Sequence, residues 1–334
     1  MPRRPHRRQV QGLRGLDPGL DHDQGLRQVT ALSTVDRPAG DDTIAARGPV
    51  RRLSSWLHRH RGARLAGLLS APLLWLLVAY LGSLAVLFVS ALWTVNSFTG
   101  DLVRQPTFAN FRTILTEEVY RTVTLRSLGV AAAVTVIDVL IALPMAFFMA
   151  KVASPRSRRL LVIAILTPLW ASYLVKAYAW RVMLANDGPV DWLFGGAGNG
   201  PGYGLLATVL VLSYLWLPYM ILPIYAGLER LPDSLLEASA DLGARGGRTV
   251  RSVVLPMIVP SVIAGSIFTF SLSLGDYITV QIVGGKTQLI GNLVYANIGA
   301  ANNLPFSAAL ATIPVLIMVG YLVAVRRSGA LEEL

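Results

Sequence analysis

The 334-residue sequence contains no cysteine. Disulfide frameworks, zinc–thiolate sites, iron–sulfur clusters and Cys nucleophiles are excluded together. Histidine is nearly as scarce. His6, His22, His58 and His60 all precede the first long apolar run, so no buried His can ligate a metal or relay a proton. No H-E-x-x-H occurs, and the scattered Ser and Asp residues assemble no nucleophile–base pair. No catalytic constellation, metal site or cofactor is expected. Charge is thin as well, at 15% of residues, against roughly 25% in soluble domains.

What is abundant is apolar: 53% of residues are hydrophobic, and the mean hydropathy is +0.53. These residues gather into blocks near the ~20 that cross a bilayer as helix. The fold class expected is an all-α polytopic membrane protein with six transmembrane helices. They fall at about 68–95, 122–150, 160–184, 204–228, 256–283 and 305–325. Spans two to six each hold proline (Pro144, Pro168, Pro218 and Pro223, Pro260, Pro314). Proline is tolerated in membrane helices because neighbouring groups satisfy the freed carbonyls, and it bends them.

Residues 1–65 are rich in Arg, Gly, Asp and Pro and show no sustained apolar period. They are expected to form a disordered basic N-terminal tail. A start site assigned too far upstream would equally leave residues 1–50 without a role. No short apolar run with a small-residue cleavage site lies near Met1, so no cleaved leader is expected. The net charge of +11 sits largely in this tail and in short loops, where it sets topology and does not mark a nucleic-acid partner.

The distribution of Lys and Arg orients the chain. Arg51, Arg52, Arg59, Arg61 and Arg64 precede span one. Lys151, Arg156, Arg158 and Arg159 follow span two. Arg230, Arg245, Arg248 and Arg251 follow span four, and Arg326 and Arg327 follow span six. On the other side, residues 185–203 carry no Lys or Arg, residues 284–304 carry only Lys286, and residues 96–121 are balanced. Both termini and the 229–255 loop are therefore expected on the cytoplasmic side.

That loop has its own helical pattern. Leu231-Pro232-Asp233-Ser234 is a start signal, with Asp233 or Ser234 placed to cap and Glu237 expected in the first turn. Leu235, Leu236, Ala238 and Leu242 form an apolar stripe, and Gly243 ends the helix. A basic segment, Gly247 to Val254, leads back to the membrane at Leu255-Pro256. A loop between two membrane spans needs no helix of its own unless something docks on it.

The pattern Glu-Ala-Ala, three residues, Gly, nine residues, Ile-x-Leu-Pro is the signature of ABC importer permease subunits. Here it reads Glu237-Ala238-Ser239, Gly243, Val253-x-Leu255-Pro256. The chain resembles that family over about residues 65–328. The resemblance implies a type I ABC importer (MetI-like) permease bundle, residues 66–328, flanked by the tails 1–65 and 329–334. It implies that the helix around 234–242 enters a groove of a separate ATPase subunit. Glu237, Ala238, Ser239, Asp241, Gly243, Leu255 and Pro256 would be the coupling residues. Implied partners are an ATPase dimer, a second homologous permease, an extracytoplasmic solute-binding protein and the surrounding lipid. Within the family the chain looks most like the polyamine (spermidine/putrescine) permeases. Thr167-Pro168-Leu169-Trp170, Leu217-Pro218-Tyr219-Met220-Ile221-Leu222-Pro223 and Gly284-Gly285-Lys286 carry that likeness.

Ionisable residues in membrane spans are functional candidates by default. Asp138, Lys176 and Asp276 lie in spans two, three and five, with Tyr173, Tyr219 and Tyr277 available for cation–π contact. Asp138 and Asp276 could offset the desolvation of a cationic solute. Asp138 could instead pair with Lys176, and Asp276 could be structural. Lys176 and Arg181 would repel a polycation unless they are paired or turned away. Gly284-Gly285-Lys286-Thr287 imitates a phosphate-binding loop, but Val280 stands where that loop needs glycine. The motor must therefore be another chain. Two other classes remain: an ion-coupled secondary transporter, which leaves the loop helix unexplained, and a membrane enzyme, which lacks a reactive group. Within the ABC class, an anion or aminophosphonate is the alternative solute.

Overall fold

The computed structural model describes residues 61–96, 98–196 and 198–327. The N-terminal tail up to residue 60, with Arg51, Arg52 and Arg59, lies outside the described residues, as does the tail 329–334. The chain divides into two units, Met1–Leu73 and Leu74–Leu334. In the first, the described residues are helical from Arg61. The last five residues expected to be unstructured, 61–65, therefore already belong to helix.

Helix α1 (Arg61–Leu76) continues through a wide turn, Leu77–Leu81, into α2 (Gly82–Ala91). Trp75 is 75% exposed, and Leu74, Leu76 and Tyr80 are exposed with it, as lipid-facing residues are. A short hairpin follows, β1 (Thr94–Val95) pairing antiparallel with β2 (Leu102–Val103), Thr94 opposite Val103. This pair of two-residue strands is a local feature of an otherwise helical bundle among the described residues. α3 (Ala109–Thr116) is fixed to it by Asn110, whose Nδ2 donates to the carbonyls of Ala91 and Trp93 at 3.0 and 2.7 Å.

α4 (Glu118–Phe147) runs on through a wide turn, Phe148–Val152, giving 35 continuous helical residues. At 1.5 Å per residue that is ~52 Å, well beyond the ~30 Å hydrocarbon core. Of its buried positions, Val123, Ser127, Val130, Val134, Asp138, Ala142 and Ala146 recur every three or four residues and so line one face, with Ala131 beside Val130.

The third span differs from expectation. α5 (Pro155–Trp170) and α6 (Tyr173–Met183) meet at 97°, so residues 160–184 are two half-helices, not one continuous helix. Ala171 and Ser172 are both extended, and the Ala171 N–H closes a tight last turn on the Pro168 carbonyl at 3.2 Å. α5 begins on a Ser154 cap, its Oγ accepting from the Ser157 N–H at 3.3 Å. α7 (Pro189–Leu193) lies in the next loop, and α8 (Leu205–Arg230) is the fourth span.

After α9 (Asp233–Asp241) come α10 (Gly246–Thr249), a wide turn Val250–Val254, and α11 (Leu255–Gly275). These last three form one helix, Gly246–Gly275. The fifth span therefore starts before the expected residue 256 and ends before the expected residue 283. Leu255-Pro256 lies inside it. Pro256 has no N–H to donate and its ring crowds the Ser252 carbonyl, and the wide turn immediately before it absorbs that mismatch. α12 (Ile278–Val283), α13 (Ile290–Gly299) and the last span, α14 (Leu304–Arg327), complete the described chain.

α4, α8 and α11 pack on one another and hold the core. Toward one end it is built from Ala142, Ala146, Met149, Met220, Ile224, Leu228, Leu231 and Ile258, with Leu236 of α9 against it. The small Ala142 and Ala146 let α4 and its neighbours approach closely, as membrane helix interfaces require.

Candidate functional site

The loop between α8 and α11 forms the helix its pattern predicts. In α9, Ser234, Glu237, Ala238 and Asp241 share one exposed stripe at helical spacing. Leu236 turns to the core, whereas Leu242 stays 88% exposed. Ser239 is half-buried, and its Oγ lies 2.9 Å from Thr249 Oγ1, which joins α9 to α10. Gly243 has φ +77°, its N–H bonds the Ala240 carbonyl at 2.8 Å, and the Ala244 N–H bonds the Ser239 carbonyl at 3.1 Å. This is the paired C-terminal closure that favours glycine in the left-handed position.

Two expectations about this helix are corrected. Asp233 does not cap it: Pro232 is the N-cap and no side chain caps. The Asp233 carboxylate instead binds Lys151, 2.7 Å from Nζ to Oδ1. Because the helix starts at Asp233, that residue and not Glu237 supplies the acid of the first turn.

Lys151, which the sequence presents only as a topological charge, is thus part of the junction at the start of α9. Its Nζ also donates to the Leu231 carbonyl at 2.6 Å. Arg158 caps the same end of α4, its Nε and Nη2 donating to the carbonyls of Met149 and Ala150 at 2.9 and 2.7 Å. Arg158 also lies 3.7 Å from Glu229. The sequence signal for both residues is a basic residue next to a helix end. The partners of Lys151, 80 and 82 positions away, lie too far along the chain to be read from it.

A second polar cluster forms where the start of α6 meets the end of α11. The helix ending α11 stops at Gly275, and Asp276 is extended and 8% exposed. Tyr173, the first residue of α6, donates its hydroxyl to Asp276 Oδ2 and lies 2.6 Å from Thr279 Oγ1. The Thr279 N–H donates to Asp276 Oδ1 at 2.8 Å. Tyr173 stacks on Trp216 at 5.9 Å between centroids, and Trp216 contacts Tyr219 at 5.9 Å. Tyr173, Asp276 and Tyr219 are thus brought into one cluster, with Trp216 and Thr279 as members that the sequence reasoning missed.

The other candidates lie apart from it. Tyr277 stacks on Tyr295 at 5.0 Å, and its carbonyl accepts from Asn292 Nδ2 at 3.0 Å. Asp138 is fully buried on α4 beside the Ser213 hydroxyl of α8. Neither of its oxygens nor that hydroxyl has a partner of hydrogen-bond geometry. The possible Asp138–Lys176 pair does not form, and Lys176 is half-buried with no ion pair among the described residues. Arg181 is engaged by its surroundings. Nη1 donates to the Ile282 carbonyl at 2.5 Å, and the guanidinium sits 5.2 Å over the Tyr203 ring. Among the described residues no three His, Asp or Glu side chains converge to hold a metal.

Residues 132–327 match the family described as binding-protein-dependent transport system inner membrane component. The Inner membrane ABC transporter permease protein YdcU of Escherichia coli (strain K12) is 42% identical over 299 residues, covering 85% of this chain and 95% of its own. The Spermidine/putrescine transport system permease protein PotB of Haemophilus influenzae is 32% identical over 219 residues, covering 64% of this chain and 76% of its own. A chain of a bacterial ABC transporter involved in the import of the acidic polysaccharide alginate superposes with a TM-score of 0.61 at 16% identity. That alignment covers 83% of this chain and 99% of the other, and it supports the fold of a type I importer permease. The chain belongs to the binding-protein-dependent transport system inner-membrane component family: it is a multi-pass ABC importer permease subunit, not itself an enzyme, and ATP is hydrolysed on a separate subunit.

Proposed function

We propose that this permease forms half of the pathway for a polyamine of the spermidine/putrescine class. Residues 66–328 act as the permease domain. A second homologous permease supplies the other half, two ATPase subunits dock from the cytoplasm, and a solute-binding protein delivers the cation on the outer side. Both termini and the 229–255 loop face the cytoplasm, as the distribution of Lys and Arg supports.

The observation that carries the coupling role is the exposed stripe Ser234, Glu237, Ala238 and Asp241 on a helix whose other side is fastened to the bundle. Glu237, Ala238 and Asp241 contact the ATPase groove. Ser239 and Gly243 hold the shape of the helix, and Leu255 and Pro256 lie in the helix that carries movement into the bilayer. Such a lever converts closure of an ATPase dimer into rearrangement of the spans.

The solute class rests on the Asp276 cluster and on the resemblance to spermidine/putrescine permeases. A carboxylate beside Tyr173, Trp216 and Tyr219 suits an ammonium group, since ring faces add ~0.5–2 kcal/mol each to cation binding. The engagement of Arg181 with a carbonyl and a ring removes part of the repulsion expected from that residue. Asp138, Lys176 and Tyr277 remain candidates for the pathway in other states of the transport cycle.

The test is ATP-dependent uptake of radiolabelled putrescine and spermidine by the reconstituted complex of both permeases, the ATPase and the binding protein. Uptake of neither would remove the polyamine reading. The natural lack of cysteine allows a direct check of orientation. In intact spheroplasts, an impermeant maleimide should label Thr287→Cys but not Ser234→Cys; the reverse pattern would invert the topology.

A further inference from the structure

The docking helix α9 is tied to more than the two spans it connects. Its covalent neighbours are α8, through Leu231-Pro232, and the Gly246–Gly275 helix, through Gly243, with the Ser239–Thr249 hydrogen bond added to the second. Lys151 adds a third tie, to α4, which neither precedes nor follows it in the chain. Its ammonium is donated to both sides of the hinge: the Leu231 carbonyl just after α8, and the Asp233 carboxylate that begins α9. The Lys151 side chain is only 10% exposed, although that of Asp233 is 77% exposed. The Leu231 side chain packs in the core beside Met149 and Ala150.

Lys151 is mounted rigidly. It lies in the wide turn that ends α4, and Arg158 caps the Met149 and Ala150 carbonyls of that turn. From there α4 continues without interruption to Glu118. Near its other end Ser127 Oγ accepts the Ile290 N–H at 2.8 Å, binding α4 to the start of α13. α13 in turn abuts the Asp276 break. Asn292 donates to the Tyr277 carbonyl, and a Cβ on Gly291 would come within 3.1 Å of the Gly275 carbonyl. A continuous path of helix and hydrogen bonds thus links the hinge of the docking helix to the candidate solute cluster at the far end of α4.

We propose that Lys151 is a positioning residue that latches α4 to the docking helix, so that a displacement of α9 is delivered directly to α4 and along it to the Ser127–Ile290 junction. The proposal rests on the reading of α9 as the ATPase-docking element. It adds that the load divides at Asp233, one branch following the chain into α8 and α11 and the other entering α4 through a side chain. The ammonium suits this task because it holds two acceptors on opposite sides of the Leu231-Pro232 joint. A residue with one acceptor would leave one half of the joint free.

The experiment is hydrogen–deuterium exchange on the full complex, comparing nucleotide-free material with material trapped by ATP and vanadate. In the parent complex, trapping should change exchange in α9 and also in residues 118–127 and 290–299. In Lys151→Met, which keeps the apolar stem and loses both bonds, the change in α9 should persist. The change in 118–127 should fall by at least half, with the ATPase still co-purifying. Lys151→Arg should restore part of it. Asp233→Asn, at an exposed position that does not threaten folding, should give an intermediate loss.

An undiminished change at 118–127 in both Lys151→Met and Asp233→Asn would overturn the latch, as would a parent complex with no change there. Loss of the ATPase from Lys151→Met would also overturn it, since the residue would then merely shape the docking surface. Failure of the docking reading itself looks different. Glu237→Arg would then retain the ATPase, whatever Lys151 does.

Discussion

The hydroxyl of Tyr173, the first residue of α6 after the Ala171–Ser172 break, donates to the carboxylate of Asp276, the first residue after α11. Each break frees backbone groups and lets side chains project where a continuous helix would bury them, an arrangement tolerated at membrane depth only when enclosed by protein or lining a cavity. A hydrogen bond to a charged group contributes ~1.5–3 kcal/mol, so Tyr173→Phe should weaken the junction while keeping the stacking on Trp216. Asp276→Asn keeps the shape and removes the charge. Transport kinetics of the reconstituted complex with putrescine should show at least a tenfold loss of kcat/KM for Asp276→Asn and a smaller loss for Tyr173→Phe. Equal transport by Asp276→Asn and the parent would make the cluster purely structural.

The loop between α6 and α8 carries a pH-dependent element. Asp191 accepts backbone N–H groups from Gly200 at 2.6 Å, Gly198 at 3.1 Å and Asp187 at 3.3 Å. These donors, Gly200 first and Gly198 next, hold its carboxyl below the usual carboxylate range against the opposing effect of burial. A lowered folded-state value means the stabilisation is complete above the ordinary value of ~3.9, and is lost as pH falls through the lower folded value. Asp191→Asn should therefore lower the melting temperature of the detergent-solubilised chain by a constant amount from pH 5 to 8. The gap should close only in acid below ~pH 4. A gap that widens on acidification contradicts the assignment.

Gly243 gives a test of the shape of the docking helix. Its φ of +77° disfavours any side chain, yet a Cβ there would meet nothing within 4 Å. The effect of substitution is therefore conformational alone, ~1–2 kcal/mol for an ordinary L-residue. Gly243→Val should fray the last turn of α9, seen as faster amide exchange at Leu242 and Ala244, and reduce ATP-driven transport severalfold. Gly243→Asn should do much less, because Asn enters the left-handed region readily. Similar effects from both would point to packing and not to backbone conformation.

The parts of this fold legible in sequence are those governed by local chemistry. The α9 helix announces itself through Pro232, its apolar residues and Gly243, and each of the six apolar runs is found. What hydropathy cannot show is direction. Residues 160–184 read as one apolar run whether the chain is straight or turns by 97° at Ala171–Ser172, and Pro168, the obvious breaker, lies inside the helix that precedes the turn. The stop at Gly275 is hidden in the same way, because Ile278–Val283 is as apolar as the helix before it. The long-range ties are invisible for a different reason. Lys151 and Asp233 are separated by 82 positions, and each has an ordinary local role that satisfies the reader first. The place of Asp138 is equally hidden: the structure puts it inside the α4–α8 packing, apart from the Tyr173–Asp276 cluster.

Glu237 tests the docking reading most directly. It lies on the exposed stripe of α9 and forms no ion pair among the described residues, so reversing its charge leaves no buried partner unsatisfied within the chain. Surface changes of this kind shift stability by no more than ~0.5 kcal/mol, and Glu237→Arg should insert and fold as the parent does. At the interface the same change places a cation against a groove that accepted an anion, and such central contacts contribute ~2 kcal/mol or more when removed. That corresponds to at least a ~30-fold weaker association. The expected outcome is a chain recovered in the membrane at normal yield, with the ATPase lost on purification and uptake abolished. Ser234→Ala, on the same stripe but without charge, should retain both. Normal ATPase recovery with Glu237→Arg would mean that the motor engages another surface of this permease.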